Sequence, residues 1–129
     1  DRLTLNDIKI IKNYDRDICN ITVDKEKIKI AFLNIIVNAI EAMEPGKGIL
    51  TILTYGEHDK CIIEIEDNGS GMDSETLNKL FEPYYSKKAK GTGLGLTNTE
   101  NIILSHKGNI NVDSEPGKGT RFIISFNFA

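Results

Sequence analysis

Along this chain the spacing of apolar and polar positions changes several times, and each change marks an element. Residues 7–14 (DIKIIKNY) alternate apolar and polar, the two-residue period of a strand with one covered face. Residues 18–23 (ICNITV) read as a second, short strand. The period then lengthens. Ile28, Phe32, Ile35, Ala39 and Met43 recur every three or four residues, so a helix is expected from Lys25 to about Met43. Asp24 is its N-cap, and Pro45-Gly46 stops it. Residues 49–55 (ILTILTY) and 60–66 (KCIIEIE) are β-rich runs around the turn Gly56-Glu57-His58-Asp59, which predicts a hairpin. Residues 73–80 open on an N-capping Asp or Ser and predict a short helix. Another helix is expected from about 94 to 105, ending near Gly108. Residues 109–113 (NINVD) and 121–128 (RFIISFNF) form a second hairpin across SEPGKG. This order predicts an α+β sandwich of one sheet against helices.

Composition narrows the picture. The 129 residues suit one domain, and 40% hydrophobic content supplies a core without disulfide staples. A net charge of −3 without a basic stripe excludes a protein that coats nucleic acid. No apolar run reaches the roughly 18 residues of a membrane span. The longest is broken by Asn34 and Asn38, and no signal peptide is recognisable. Cys19 and Cys61 lack CxxC spacing and sit among apolar residues, which reads as two reduced core thiols in a reducing compartment. Asp1 opens abruptly in polar, charged sequence, so the chain is expected to be a piece of a longer protein.

Three segments carry candidate chemistry. In the helix from Lys25, the only polar residues between Ile30 and Ile40 are Asn34 and Asn38. Four residues apart, they share a face, and Glu41 continues the stripe. A helix apolar nearly all round is expected to be buried on most sides. Two amides there need partners, since an unpaired buried one costs about 1–3 kcal/mol. Either they bond neighbouring backbone, or an amide oxygen faces a cation such as Mg²⁺, which takes hard oxygen ligands. The second segment, Asp67-Asn68-Gly69-Ser70-Gly71-Met72, follows a strand. It is an ordinary turn, or it is a site in which Asp67 accepts from the exocyclic amine of adenine while the glycines admit close backbone approach. The third, Gly91-Thr92-Gly93-Leu94-Gly95-Leu96, opens a helix and can present bare N–H groups to phosphate. Otherwise it is a flexible linker. The preceding SKKAK is no Rossmann strand, and no P-loop pattern occurs in the chain. Lys87, Lys88 and Lys90 are a solvated charge run or a mobile lid over phosphates.

In this order and spacing the segments resemble the catalytic, ATP-binding domain of a sensor histidine kinase, in the Bergerat-fold superfamily with gyrase, Hsp90 and MutL. Asn34 to Met43 match the N-box, Asp67 to Met72 the G1 box, Leu80 to Tyr85 the F-box and Gly91 to Leu96 the G2 box. Ser114 to Phe122 match the terminal hairpin, so the likeness covers about residues 24 to 128. The resemblance implies a two-layer sandwich, with a mixed sheet packed on about three helices. It implies that Asn38 ligates Mg²⁺ with Asn34 beside the phosphates. Asp67 binds adenine N6, supported by Gly71 and Thr120, and Gly93, Gly95 and Leu96 hold phosphates at the helix start. Lys88 contacts phosphate from the lid, and Phe81 anchors the lid by packing. Gly69, Met72, Tyr85, Gly91, Thr92 and Leu94 complete the implied pocket.

Two departures bear on the chemistry. Many relatives carry Lys or Arg where Glu41 stands, so Lys88 is left with more of the charge neutralisation. Relatives with plain ATPase activity carry Glu where Asn34 stands, and Asn cannot take a proton. The resemblance therefore implies phosphotransfer over hydrolysis. The γ-phosphate passes to a histidine on a separate dimerisation domain and then to a response-regulator aspartate. His58 lies in a hairpin turn and His106 at a helix end, so neither reads as the phosphoacceptor, and no catalytic residue is expected within this chain. The implied partners are ATP and that histidine domain, with no nucleic acid and no membrane contact. The implied setting is the cytoplasmic part of a membrane-anchored parent. A hydrolysing ATPase of the same fold and a non-catalytic ATP-sensing module remain alternatives.

Overall fold

A computed structural model describes residues 8–14, 23–83 and 95–127. The order is β1 (Lys9–Tyr14), α1 (Lys25–Ala42), β2 (Ile49–Glu57), β3 (Lys60–Asp67), α2 (Ser74–Lys79), α3 (Gly95–Ser105), β4 (Asn109–Glu115) and β5 (Gly119–Asn127). The strands form one sheet in the order β1-β2-β3-β5-β4. β1 runs parallel to β2, and every other pairing is antiparallel, so the sheet is mixed. The α+β sandwich expected from the pattern, with three helices in its second layer, is the architecture observed. The expected strand at 18–23 lies almost wholly outside the described residues.

Local chemistry sets the element ends. The Asp24 carboxylate accepts from the N–H groups of Glu26 (3.1 Å) and Lys27 (3.3 Å), which caps α1. Met43 is already extended and closes it. The β2–β3 turn narrows to His58 and Asp59, both left-handed at φ 51° and 62°, the geometry that matches strand twist in a two-residue hairpin.

Alternation along β3 decides which side chains meet the helices. Cys61, Ile63, Ile65 and Asp67 are buried, while Glu66 faces out. With Leu50, Phe122, Ile124 and Phe126 they form the floor on which Ile28, Ala31, Ile35, Ala39 and Ile103 pack. The other sheet face carries a polar chain across four strands. The Tyr55 hydroxyl donates to Glu64, Arg121 reaches Glu64 Oε1 at 3.4 Å, and Arg121 also reaches Asp113 Oδ2 at 3.2 Å. The bond to Glu64, with burial, pushes the Tyr55 phenol up to about 12.

One expectation is corrected here. α1 is not buried on most sides: Ile30 is 48% and Leu33 57% exposed. Helices cover only one side of the sheet, so α1 meets β3, β5 and α3 on one face and leaves its outer face open among the described residues. Cys61 is buried in the core, as the apolar run around it implied, whereas Cys19 lies outside the described residues. No helix among the described residues is long and apolar enough to cross a membrane.

Candidate nucleotide-binding site

The site grows from one stripe of α1 and the two strand ends beside it. Asn34, Asn38 and Ala42 stand four residues apart on one face of the helix, about 6 Å per step along the axis. Asn34 Nδ2 donates to the Gly95 carbonyl at 3.1 Å, which ties α1 to the first residue of α3. Thr99 reinforces that junction, its hydroxyl lying 2.9 Å from the Gly95 carbonyl and 3.3 Å from the Ala31 carbonyl. At the other end the Ser70 N–H donates to the Ala42 carbonyl at 3.0 Å. The stripe therefore runs from one glycine-rich segment to the other, with half-buried Asn38 midway.

Asp67 ends β3, buried at 3% exposure opposite Thr120 of β5. Its carboxylate accepts from the Gly69 N–H at 2.8 Å and from the Thr120 N–H. Burial nevertheless wins over these donors and pushes the carboxyl above its ordinary range. A buried carboxylate shifted in this way is a candidate site residue.

The turn after Asp67 is locked to the β4–β5 hairpin by close backbone approach. A Cβ on Gly71 would sit 1.9 Å from the Glu115 carbonyl oxygen, and Gly71 is left-handed at φ 72°. A Cβ on Gly119 would sit 2.0 Å from the Asp67 carbonyl oxygen, at φ 93°. Each chain thus presses a bare glycine against the other's backbone, which no side-chain-bearing residue permits. Hydrogen bonds complete the lock. The Gly117 N–H donates to the Ser70 carbonyl at 2.7 Å, and the Met72 N–H donates to Ser114 Oγ at 2.9 Å.

Of the pocket residues expected from the sequence, Asp67, Gly69, Gly71, Met72 and Thr120 come together at the ends of β3 and β5. Asn34, Gly95 and half-buried Leu96 meet at the α1–α3 junction, and half-buried Asn38 lies four residues along α1 from Asn34. Tyr85, Lys88, Gly91, Thr92, Gly93 and Leu94 lie outside the described residues. Phe81 packs against the core, and its carbonyl accepts from the Thr97 hydroxyl at 2.8 Å. His106 is structural: Nδ1 meets the Ile102 carbonyl at 2.7 Å and Nε2 accepts from the Asp24 N–H at 3.1 Å.

Two residues escaped the sequence reading. Asn68 belongs to the frame, accepting from the Ile49 N–H at 2.8 Å and donating to the Lys47 carbonyl at 3.1 Å. Ser114 bonds Gly119, Thr120 and Met72 at once. A serine at an inward position of an edge strand carried no signal that it would bond Thr120, the cross-strand partner of Asp67.

Comparison with known proteins places the family and the fold. Residues 23–129 match the family model described as histidine kinase-, DNA gyrase B- and HSP90-like ATPase. The chain is 44% identical to Sporulation kinase A of Bacillus subtilis over 95% of its own length and 20% of that protein's. It is 39% identical to the signal transduction histidine-protein kinase AtoS of Escherichia coli over 91% of its length and 19% of AtoS. It thus spans about a fifth of each relative. Among solved structures, the catalytic domain of the histidine kinase ThkA superposes with TM-score 0.86 at 26% identity, covering 98% of this chain and 83% of that one. Full-length ShkA, solved in complex with AMPPNP, shares the fold with TM-score 0.85 at 22% identity, over 99% of this chain and 27% of ShkA. The chain belongs to the histidine kinase-, DNA gyrase B- and HSP90-like ATPase family, as a histidine-kinase-type ATP-binding domain.

Proposed function

We propose that this domain binds Mg-ATP and donates its γ-phosphate to a histidine on a separate dimerisation domain, for onward transfer to a response-regulator aspartate. The observation that carries this reading is the α1 stripe. Asn34 touches the second glycine segment, Ala42 touches the first, and Asn38 lies between them. A triphosphate spanning from Asp67 toward the start of α3 passes over Asn38.

Each residue has a role in that pose. Asp67 accepts from the adenine N6 amine, and the backbone around Gly69, Gly71 and Thr120 holds the carboxylate in place. The N-terminus of α3, from Gly95 and Leu96, offers N–H groups to phosphate. Asn38 fits a cation site because its amide oxygen is a hard, neutral ligand on a half-buried face. Among the described residues no cluster of three or more His, Cys, Asp or Glu competes for such an ion. Mg²⁺ takes few protein ligands when phosphate oxygens supply the rest, and it neutralises developing charge on the transferred group.

Asn34 sets the outcome. Its amide cannot accept a proton and donates to the Gly95 carbonyl. Water therefore lacks a base at this position, and the γ-phosphoryl group waits for an imidazole nitrogen delivered from outside. His106 is occupied on both ring nitrogens and His58 lies exposed in a hairpin turn, so neither receives it. The parent protein is proposed to be membrane-anchored, with this domain on the cytoplasmic side.

The test mixes the chain with its cognate histidine-bearing domain and γ-labelled ATP. Acid-labile, base-stable label on the partner is expected, and it should vanish with Asn38→Ala or Asp67→Ala. ATP binding without label on the partner would defeat the kinase reading.

A further inference from the structure

Ser114 sits on β4 with its hydroxyl among three polar neighbours. The Met72 N–H lies at 2.9 Å, the Gly119 carbonyl at 2.9 Å and the Thr120 hydroxyl at 2.9 Å. The first can only donate and the second can only accept. A serine owns one proton and two lone pairs. Its proton therefore goes to the Gly119 carbonyl, and one lone pair takes the Met72 N–H. The remaining lone pair faces Thr120, so Thr120 must donate to Ser114. The opposite assignment would set two proton-free oxygens of Ser114 and Gly119 against each other at hydrogen-bond distance.

That assignment fixes the polarity of Thr120. With its proton committed to Ser114, its hydroxyl shows only lone pairs to the pocket. Thr120 is the cross-strand partner of Asp67, and both side chains point to the helix-covered face. The pocket wall then presents two acceptors side by side, a carboxylate and a proton-free hydroxyl face.

We infer that Ser114 is a positioning residue that holds Thr120 as a hydrogen-bond acceptor beside Asp67, and thereby strengthens selection of 6-amino purines over 6-oxo purines. The inference rests on the reading of Asp67 as the adenine contact. A 6-amino group offers two donors to this wall. In the same pose a 6-oxo oxygen offers only lone pairs and is repelled by both acceptors, and the adjacent N1–H of a 6-oxo purine meets them only if the base shifts. Without Ser114 the Thr120 proton is released, the hydroxyl turns, and it donates to a 6-oxo oxygen. Discrimination built on unpaired or repelling polar groups is the kind a pocket achieves most sharply.

The experiment measures dissociation constants of Mg-ATP and Mg-ITP for the 129-residue chain. In wild type ATP should bind more tightly. In Ser114→Ala the ITP-to-ATP ratio should fall roughly tenfold, the scale of one hydrogen bond made or lost in a buried site. Ser114→Thr, which keeps the hydroxyl, should retain the wild-type ratio. Thr120→Val removes the acceptor without opening space, and should lower the ratio by a similar factor. It also serves as the test if Ser114→Ala does not fold. Equal weakening of both nucleotides in Ser114→Ala and Thr120→Val, with the ratio unchanged, overturns the inference and leaves Ser114 a structural strut. Asp67→Ala is the separate arm. If it binds ATP as wild type does, the adenine assignment itself fails, whatever Ser114 does.

Discussion

Asn34 and Gly95 lie 61 residues apart in sequence, yet the side-chain amide of one donates to the main-chain carbonyl of the other at 3.1 Å. This bond joins the middle of α1 to the first turn of α3. Replacing Asn34 with Asp would put a carboxylate against that carbonyl, two acceptors in contact. A loss of about 1–3 kcal/mol is expected, read by urea denaturation. Asn34→Asp supplies a potential base as well, so steady ATP hydrolysis should rise above the wild-type level wherever the fold survives. An undiminished stability would show that the contact carries no weight.

The glycine lock gives a contrast between positions. Gly71→Ala and Gly119→Ala bring a Cβ to 1.9 and 2.0 Å from a carbonyl oxygen. Each should cost more than roughly 3 kcal/mol and abolish nucleotide-dependent thermal stabilisation. Gly46→Ala has the same sign of φ but meets nothing within 4 Å. Its cost should be only the left-handed penalty of about 1–2 kcal/mol. Similar melting points for all three would deny the lock.

Asp67 makes a pH prediction whose sign follows from burial. Its folded pKa is raised, so the folded state holds its proton more firmly than the unfolded state does. Above that raised pKa the ionised carboxylate costs the empty domain stability. That cost is relieved as pH falls through the raised pKa. Asp67→Asn should therefore leave the nucleotide-free melting temperature unchanged or higher, while ATP affinity falls at least tenfold for want of an ionised acceptor. A fall in the melting temperature of the empty variant would mean that the charge is stabilising.

His106 joins the end of α3 to the cap of α1. His106→Ala removes the acceptor of the Asp24 N–H and should cost about 1 kcal/mol in urea denaturation. Phosphorylation of a supplied histidine domain should persist in this variant, because the imidazole is a strut. Loss of transfer at unchanged ATP affinity would contradict that assignment.

Most of the fold was legible because it depends on local signals. Asp24, Pro45 and the alternation of 60–66 mark boundaries whichever way the chain later turns. Asp67 was legible at a strand end because it directly follows the alternating run, whose two-residue period also accounts for its burial. The outer face of α1 was not. Ile30 and Leu33 look like core, but only the number of layers tells which side of a helix is covered. Leu33→Gln should thus change stability by no more than about 0.5 kcal/mol, against about 2–5 kcal/mol for Ile35→Ala in the core. Long-range polar partners were equally hidden. Ser114 and the Gly95 carbonyl acquire meaning only through register and helix packing, which no single stretch of sequence encodes.

The mutual seating of Gly71 on Glu115 and Gly119 on Asp67 also sets a timetable. The strand that carries Asp67 leaves the ribosome about fifty residues before the hairpin that floors it, a delay of several seconds at ordinary synthesis rates. Until residues 114–120 have emerged, the carboxylate has neither Thr120 beside it nor Gly119 beneath it. A nascent chain therefore cannot close the backbone frame around Asp67 while the domain is half made.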